Sequence, residues 1–153
     1  VAAGMQVVYY SRHRVAVDIE HRYGARYLPF LALLAVADVV SLHMPYTSET
    51  HHLMDEKAFS CMKPTAYLVN TARGAVVDES ALIAALQSHR VAGAGLDVFE
   101  QEPQIPAALR VMENVLLSPH TGTATREARN EMAGFACRNV LHFFAGEPFA
   151  RVN

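Results

Sequence analysis

The sequence predicts an α/β fold: a doubly wound parallel sheet with helices on both faces. Three observations carry that prediction. Short apolar runs of strand length alternate with helix-length segments along almost the whole chain. Several of these runs, such as 66–69 with its Tyr and Val, suit strands covered on both faces. At 153 residues, 52% apolar and 18% charged, the chain has room for one domain with a real core, and its composition argues against disorder. Neither internal repeats nor a low-complexity linker interrupts the pattern.

Residues 1–5 read as the last turn of a helix, with Gly4 as its C-terminal cap. Residues 6–10 form a strand, and the basic loop Ser11-Arg12-His13-Arg14 follows it. A short helix over 15–22 ends at Gly24, and 25–28 is a small strand. Pro29 suits the start of the next helix, which continues over 30–36. Residues 39–43 make a strand that Pro45 terminates, and 47–50 are loop or cap. Asp55 caps a helix running to about Met62. Pro64 separates it from the strand 66–69, where Asn70, Thr71 and Gly74 break the pattern. Asp78 or Ser80 opens a helix with Leu82, Ile83 and Leu86 at helical spacing. A small-residue strand over 92–96 ends at Asp97, 109–112 is a helical turn, and 115–117 is the last strand. A long helix over 125–145 begins at a Thr125 cap, carries Glu127 and Glu131 early, and stops at Gly146.

A net charge of −2 gives no electrostatic case for a nucleic-acid or membrane surface. The longest apolar-rich stretch, 28–37, is too short to span a bilayer. Cys61 and Cys137 have neither metal nor redox spacing, so a reduced, cytoplasmic chain is the default expectation. No signal peptide is visible in these residues, and Arg151-Val152-Asn153 does not read as a peroxisomal address. The first residue is Val, so further residues upstream are expected.

Arg73, Glu102 and His120 each fall just past a different predicted strand. Ligands of open parallel sheets bind beyond the carboxyl ends of the strands, where loops from distant sequence positions converge. An arginine fork suits bidentate capture of a carboxylate. A histidine can transfer a proton, and a carboxylate can orient the imidazole and stabilise its charged form. Each residue also has a plainer reading: a surface arginine, a solvated turn glutamate before Pro103, and a satisfied loop histidine after Pro119.

Four runs occur in order. They are Asp38-Val39-Val40-Ser41-Leu42-His43-Met44-Pro45 with Thr47 and Thr50; Val69-Asn70-Thr71-Ala72-Arg73-Gly74; Gly95-Leu96-Asp97-Val98-Phe99 with Glu102-Pro103; and Leu117-Ser118-Pro119-His120-Thr121-Gly122. Together they resemble the D-isomer-specific 2-hydroxyacid dehydrogenases, within that family the glyoxylate/hydroxypyruvate reductase branch, over residues 6–153. The resemblance implies a reductase of small 2-keto acids that works with a nicotinamide dinucleotide. In it Arg73 would bind the substrate carboxylate, His120 would donate the proton, and Glu102 would pair with His120. Asp97 would contact the nicotinamide carboxamide, although it could equally cap its own loop. Thr71 and Ala72 would approach the cofactor through backbone atoms. His43 and Pro45 would lie beside ribose and phosphates, and Gly122 would complete the cofactor contacts.

In this fold the end of the second strand meets the adenosine ribose, where an acidic residue favours NAD and an arginine favours NADP. Ser11, Arg12 and Arg14 stand there and favour NADP, with NAD possible; otherwise they are a solvated basic loop. The family's Gly-x-Gly-x-x-Gly loop and first strand do not occur in these residues. The expected architecture is therefore an incomplete Rossmann-like sheet with a long C-terminal helix. A partial dinucleotide-binding domain would span 1–145, with a tail over 146–153 returning toward a substrate domain. Two strands would lose their shared neighbour, and the fragment alone is expected to be inactive. The complete protein is expected to be a homodimer that takes a small 2-keto acid as substrate, with neither nucleic acid nor membrane as partner. Two other roles fit the resemblance: an NAD(H)-sensing scaffold like the family's co-repressors, and a 3-phosphoglycerate dehydrogenase-like enzyme.

Overall fold

The computed structural model describes residues 4–150. Residues 1–3 of the helical turn expected over 1–5, and residues 151–153, lie outside that range. Gly4 itself is left-handed, with φ 72°, as a cap requires.

The elements alternate as expected. They are β1 (Val7–Tyr9), α1 (Val17–Tyr23), β2 (Ala25–Tyr27), α2 (Phe30–Val36), β3 (Val39–Leu42), α3 (Glu56–Cys61), β4 (Tyr67–Asn70), α4 (Glu79–Gln87), β5 (Gly93–Leu96), α5 (Ala107–Arg110), β6 (Val115–Leu117) and α6 (Arg126–Ala145). A single 3-10 turn, Gly74–Val76, lies between β4 and α4. Local chemistry sets the boundaries. The Asp55 carboxylate accepts from Ala58 N–H, Asp78 accepts from Ser80 and Ala81 N–H, and Thr125 Oγ1 accepts from Ala128 N–H. Asp78, and not Ser80, is thus the cap of α4. Gly24 ends α1 in the left-handed region at φ 59°.

All strand pairs are parallel, and they fall into two sheets. β1 pairs with β2, while β3-β4-β5-β6 form a four-stranded sheet in that order. β1 and β3 do not pair with each other, as expected of strands without a shared neighbour. In the larger sheet the register aligns Val40, Leu68, Ala94 and Val115, and two residues on aligns Leu42, Asn70, Leu96 and Leu117. These rows join the core with Leu34 of α2, Phe59 of α3, and Leu82 and Leu86 of α4. The alternate rows carry Val39 (49% exposed), Tyr67 (53%) and Leu116 (80%). The expectation that β4 is covered on both faces is therefore corrected. An apolar run does not reveal which face is covered, and the helices of this core cluster pack on one.

The chain divides into two compact units, one ending at Pro119 and one beginning at His120. The second unit holds α6, which ends at Gly146 where the sequence expects a tail to begin. No residue of α6 is buried; Met132, Phe135, Leu141 and Phe144 are all exposed. The tail folds back locally: Asn139 exchanges hydrogen bonds with the Ala150 backbone, and Phe149 packs edge-on against Phe143. Among the described residues no helix is long and apolar enough to cross a membrane.

Candidate active site

The loop after β4 is folded over one buried side chain. Asn70 is 1% exposed; its Oδ1 accepts from Ala72 N–H at 3.0 Å and its Nδ2 donates to the Arg73 carbonyl at 3.0 Å. Both polar ends of a buried amide are satisfied, so the turn has one shape. Thr71 is exposed and Ala72 buried. Arg73 is exposed and extended, with Nη1 donating to the Ala72 carbonyl at 2.6 Å. In sequence Asn70 shows only as a break in the strand pattern. Replacing it with alanine leaves the buried Ala72 N–H without an acceptor, so Asn70→Ala is expected to cost about 1–3 kcal/mol. Chemical denaturation of the variant measures this.

The loop after β5 is tied to the same edge. Asp97 N–H donates to the Asn70 carbonyl at 3.0 Å, and the Asp97 carboxylate accepts from the Ser118 hydroxyl just beyond β6. Glu102 is exposed, and its Oε1 accepts from Phe99 N–H at 3.0 Å. The backbones of the Arg73 and Glu102 loops touch at Gly74. A Cβ on Gly74 would lie 1.9 Å from the Phe99 carbonyl carbon. Only a residue without a Cβ permits this approach. Arg73 and Glu102 thus stand on abutting loops past the carboxyl ends of adjacent strands. His43 and Pro45 lie past β3 at the same edge; His43 Nε2 is 2.8 Å from Ser41 Oγ, and the Pro45 carbonyl accepts from Thr50 Oγ1. His120 and Gly122 belong to the second unit. His120 is exposed there with φ 53°, and a turn closes at Ala124 N–H on the Thr121 carbonyl.

The basic loop after β1 departs from its expected state. Arg14 Nε and Nη2 each donate to the Glu20 carboxylate at 2.7 Å, and Tyr9 OH donates to the same carboxylate at 2.6 Å. The Nε–Nη2 side of Arg14 is therefore spent within the protein, and not on a phosphate as its place in the sequence suggests. Arg12 makes only an exposed ion pair with Glu49 at 3.3 Å, and Ser11 Oγ donates to the His13 carbonyl. Such an exposed pair is weak and exchangeable. The hydrogen bonds from Arg14 and then from Tyr9 lower the Glu20 carboxyl from 4.5 to about 2. A carboxyl with a depressed pKa in the folded state stabilises above its ordinary value and loses that contribution as pH falls toward the folded one. The melting-temperature difference between wild type and Glu20→Gln should thus be constant above pH 4.5 and shrink toward pH 2. A pH series of thermal melts measures it.

At the strand edge Asn70 holds both an acceptor carboxylate at Asp97 and a backbone turn at Thr71–Ala72, polar groups of the kind a nicotinamide carboxamide would need. The signature of the D-isomer specific 2-hydroxyacid dehydrogenase NAD binding domain matches residues 1–122. The chain belongs to this family. Against a glyoxylate reductase of Thermococcus litoralis, this chain is 50% identical over 144 residues, covering 94% of itself and 43% of that protein. A glyoxylate reductase structure from Paecilomyes thermophila superposes with a TM-score of 0.91 at 40% identity, over 99% of this chain and 46% of that one. An NADPH-dependent glyoxylate/hydroxypyruvate reductase from Sinorhizobium meliloti, solved with NADP and malonate, gives 0.88 at 33% identity, over 99% and 49%. The dehydrogenase-family chain thus spans less than half the length of these relatives.

Proposed function

We propose that this chain supplies the dinucleotide-binding side of a reductase that converts a small 2-keto acid, glyoxylate or hydroxypyruvate, to the D-2-hydroxy acid. The observation that carries it is the abutment of the Arg73 and Glu102 loops at the carboxyl ends of β4 and β5. Arg73 holds the substrate carboxylate through its fork and draws charge from the keto oxygen. His120 gives a proton to that oxygen, and Glu102 keeps the imidazole oriented and stabilises its protonated form. Nicotinamide, when bound, supplies the hydride. Asp97, Thr71 and Ala72 hold its ring, and His43, Pro45 and Gly122 its ribose and phosphates. Malonate in the Sinorhizobium meliloti structure is a small carboxylate, which supports this substrate class.

The cofactor is NADPH in preference to NADH, with Arg12 and Ser11 meeting the 2′-phosphate while Arg14 stays with Glu20. Arg12→Ala should lower kcat/KM for NADPH more than for NADH. Steady-state kinetics with each cofactor checks it, and an unchanged ratio removes the basis for NADP. The 153 residues alone lack Gly-x-Gly-x-x-Gly, hence the backbone donors for a pyrophosphate, and should neither bind tightly nor turn over. The deciding assay follows NADPH absorbance with glyoxylate on the whole protein. Steady consumption supports the reductase; binding without turnover turns the reading toward a sensing scaffold.

A further inference from the structure

His52 has no part in the chemistry above, yet it touches three strand-end loops. Its backbone is left-handed, with φ 49°, a conformation that costs a non-glycine residue energy and persists only where the surroundings enforce it. The enforcing contacts are on both sides. His52 N–H donates to the Ala75 carbonyl at 2.9 Å, inside the turn that follows Arg73. Two residues on, Met54 N–H donates to the Val76 carbonyl and the Met54 carbonyl accepts from Asp78 N–H, both at 3.1 Å. On the other side His52 Nε2 lies 2.7 Å from Glu100 Oε1, in the loop that carries Glu102. The ring is held in place by His51, stacked on it at 3.9 Å. Glu100 is fixed in turn, since its N–H donates to Glu79 Oε1 at 2.8 Å.

We propose that His52 is a positioning residue: its main chain grips the Arg73 loop and its imidazole grips the Glu102 loop, so it sets the spacing between the guanidinium and the carboxylate. The proposal rests on the reductase reading of Arg73 and Glu102. It also accounts for why a strained backbone is kept in the loop after β3, where no reacting group stands. The Gly74–Phe99 abutment stops the two loops from closing further, and the His52–Glu100 clasp stops them from opening.

The test compares His52→Ala, His52→Gln and Glu100→Gln in the whole protein. Glutamine can still offer an N–H to Glu100; alanine cannot. His52→Ala should lose roughly 10- to 10²-fold in kcat/KM, the scale of a displaced catalytic group, with kcat falling more than KM rises. His52→Gln should recover most of it. The double variant His52→Ala/Glu100→Gln should lose no more than the worse single, because both remove one interaction. Amide hydrogen exchange reads the clasp without activity: His52→Ala should speed exchange at Phe99 and Glu100. The proposal falls if exchange there is unchanged, or if alanine and glutamine lose activity equally in step with a lower melting temperature. An unmodified protein without turnover would sink the reductase reading instead, and the exchange result would then decide the clasp by itself.

Discussion

Replacing His120 by alanine should lower keto-acid turnover by about 10²- to 10⁴-fold, the range for loss of a positioned general acid. The expectation needs a control, because His120 sits at φ 53° and alanine tolerates that region poorly. Asparagine is comfortable there but cannot donate a proton as an imidazolium does. His120→Asn should therefore fold at the wild-type melting temperature and still lose turnover on the same scale. In both variants the limb of the pH–rate profile that reports the proton donor should disappear, while Kd for NADPH, measured by fluorescence titration, changes little. If His120→Asn keeps wild-type kcat, His120 is a loop histidine, and the proton comes from elsewhere.

The parts of this chain that could be read in advance are those whose causes are local. Pro29, Asp55, Asp78, Thr125, Gly24 and Gly146 each fix a helix end through groups within four residues, so element boundaries are legible to a residue or two. The position of Arg73 and Glu102 past strand ends was legible because strand ends are where an open parallel sheet exposes its loops. What escaped depends on partners across the fold. Arg14 looks like a phosphate ligand in sequence, yet Glu20 lies one helical turn into α1 and takes its Nε and Nη2 donors. His52 was one histidine among eight, and its partner Glu100 is 48 residues away. A left-handed backbone at a histidine leaves no mark in composition. Only the doublet His51-His52 after the Thr47–Thr50 turn hinted that this loop carries more than a connection.

Gly74→Ala should be the most damaging small change in the unit that ends at Pro119. The added methyl carbon would sit 1.9 Å from the Phe99 carbonyl carbon, 2.0 Å from its oxygen and 2.4 Å from Glu100 N. All three are main-chain atoms, so no rotamer change relieves the overlap, and the two loops must part. Gly74 has no positive φ, so the cost is steric and not conformational. Overpacking of this kind costs about 1–3 kcal/mol, occasionally more. The larger effect is functional: moving the Arg73 loop from the Glu102 loop by about 1 Å should cost roughly 10²-fold in kcat/KM. Gly95→Ala is the matched control, since a Cβ on Gly95, in the neighbouring strand β5, meets nothing within 4 Å. Thermal melts and steady-state kinetics on the pair should separate them clearly, with Gly95→Ala near wild type in melting temperature. Equal melting temperatures and equal kcat/KM for the two variants would mean that the loops do not abut in solution, and Arg73 and Glu102 would lose the contact that sets them side by side.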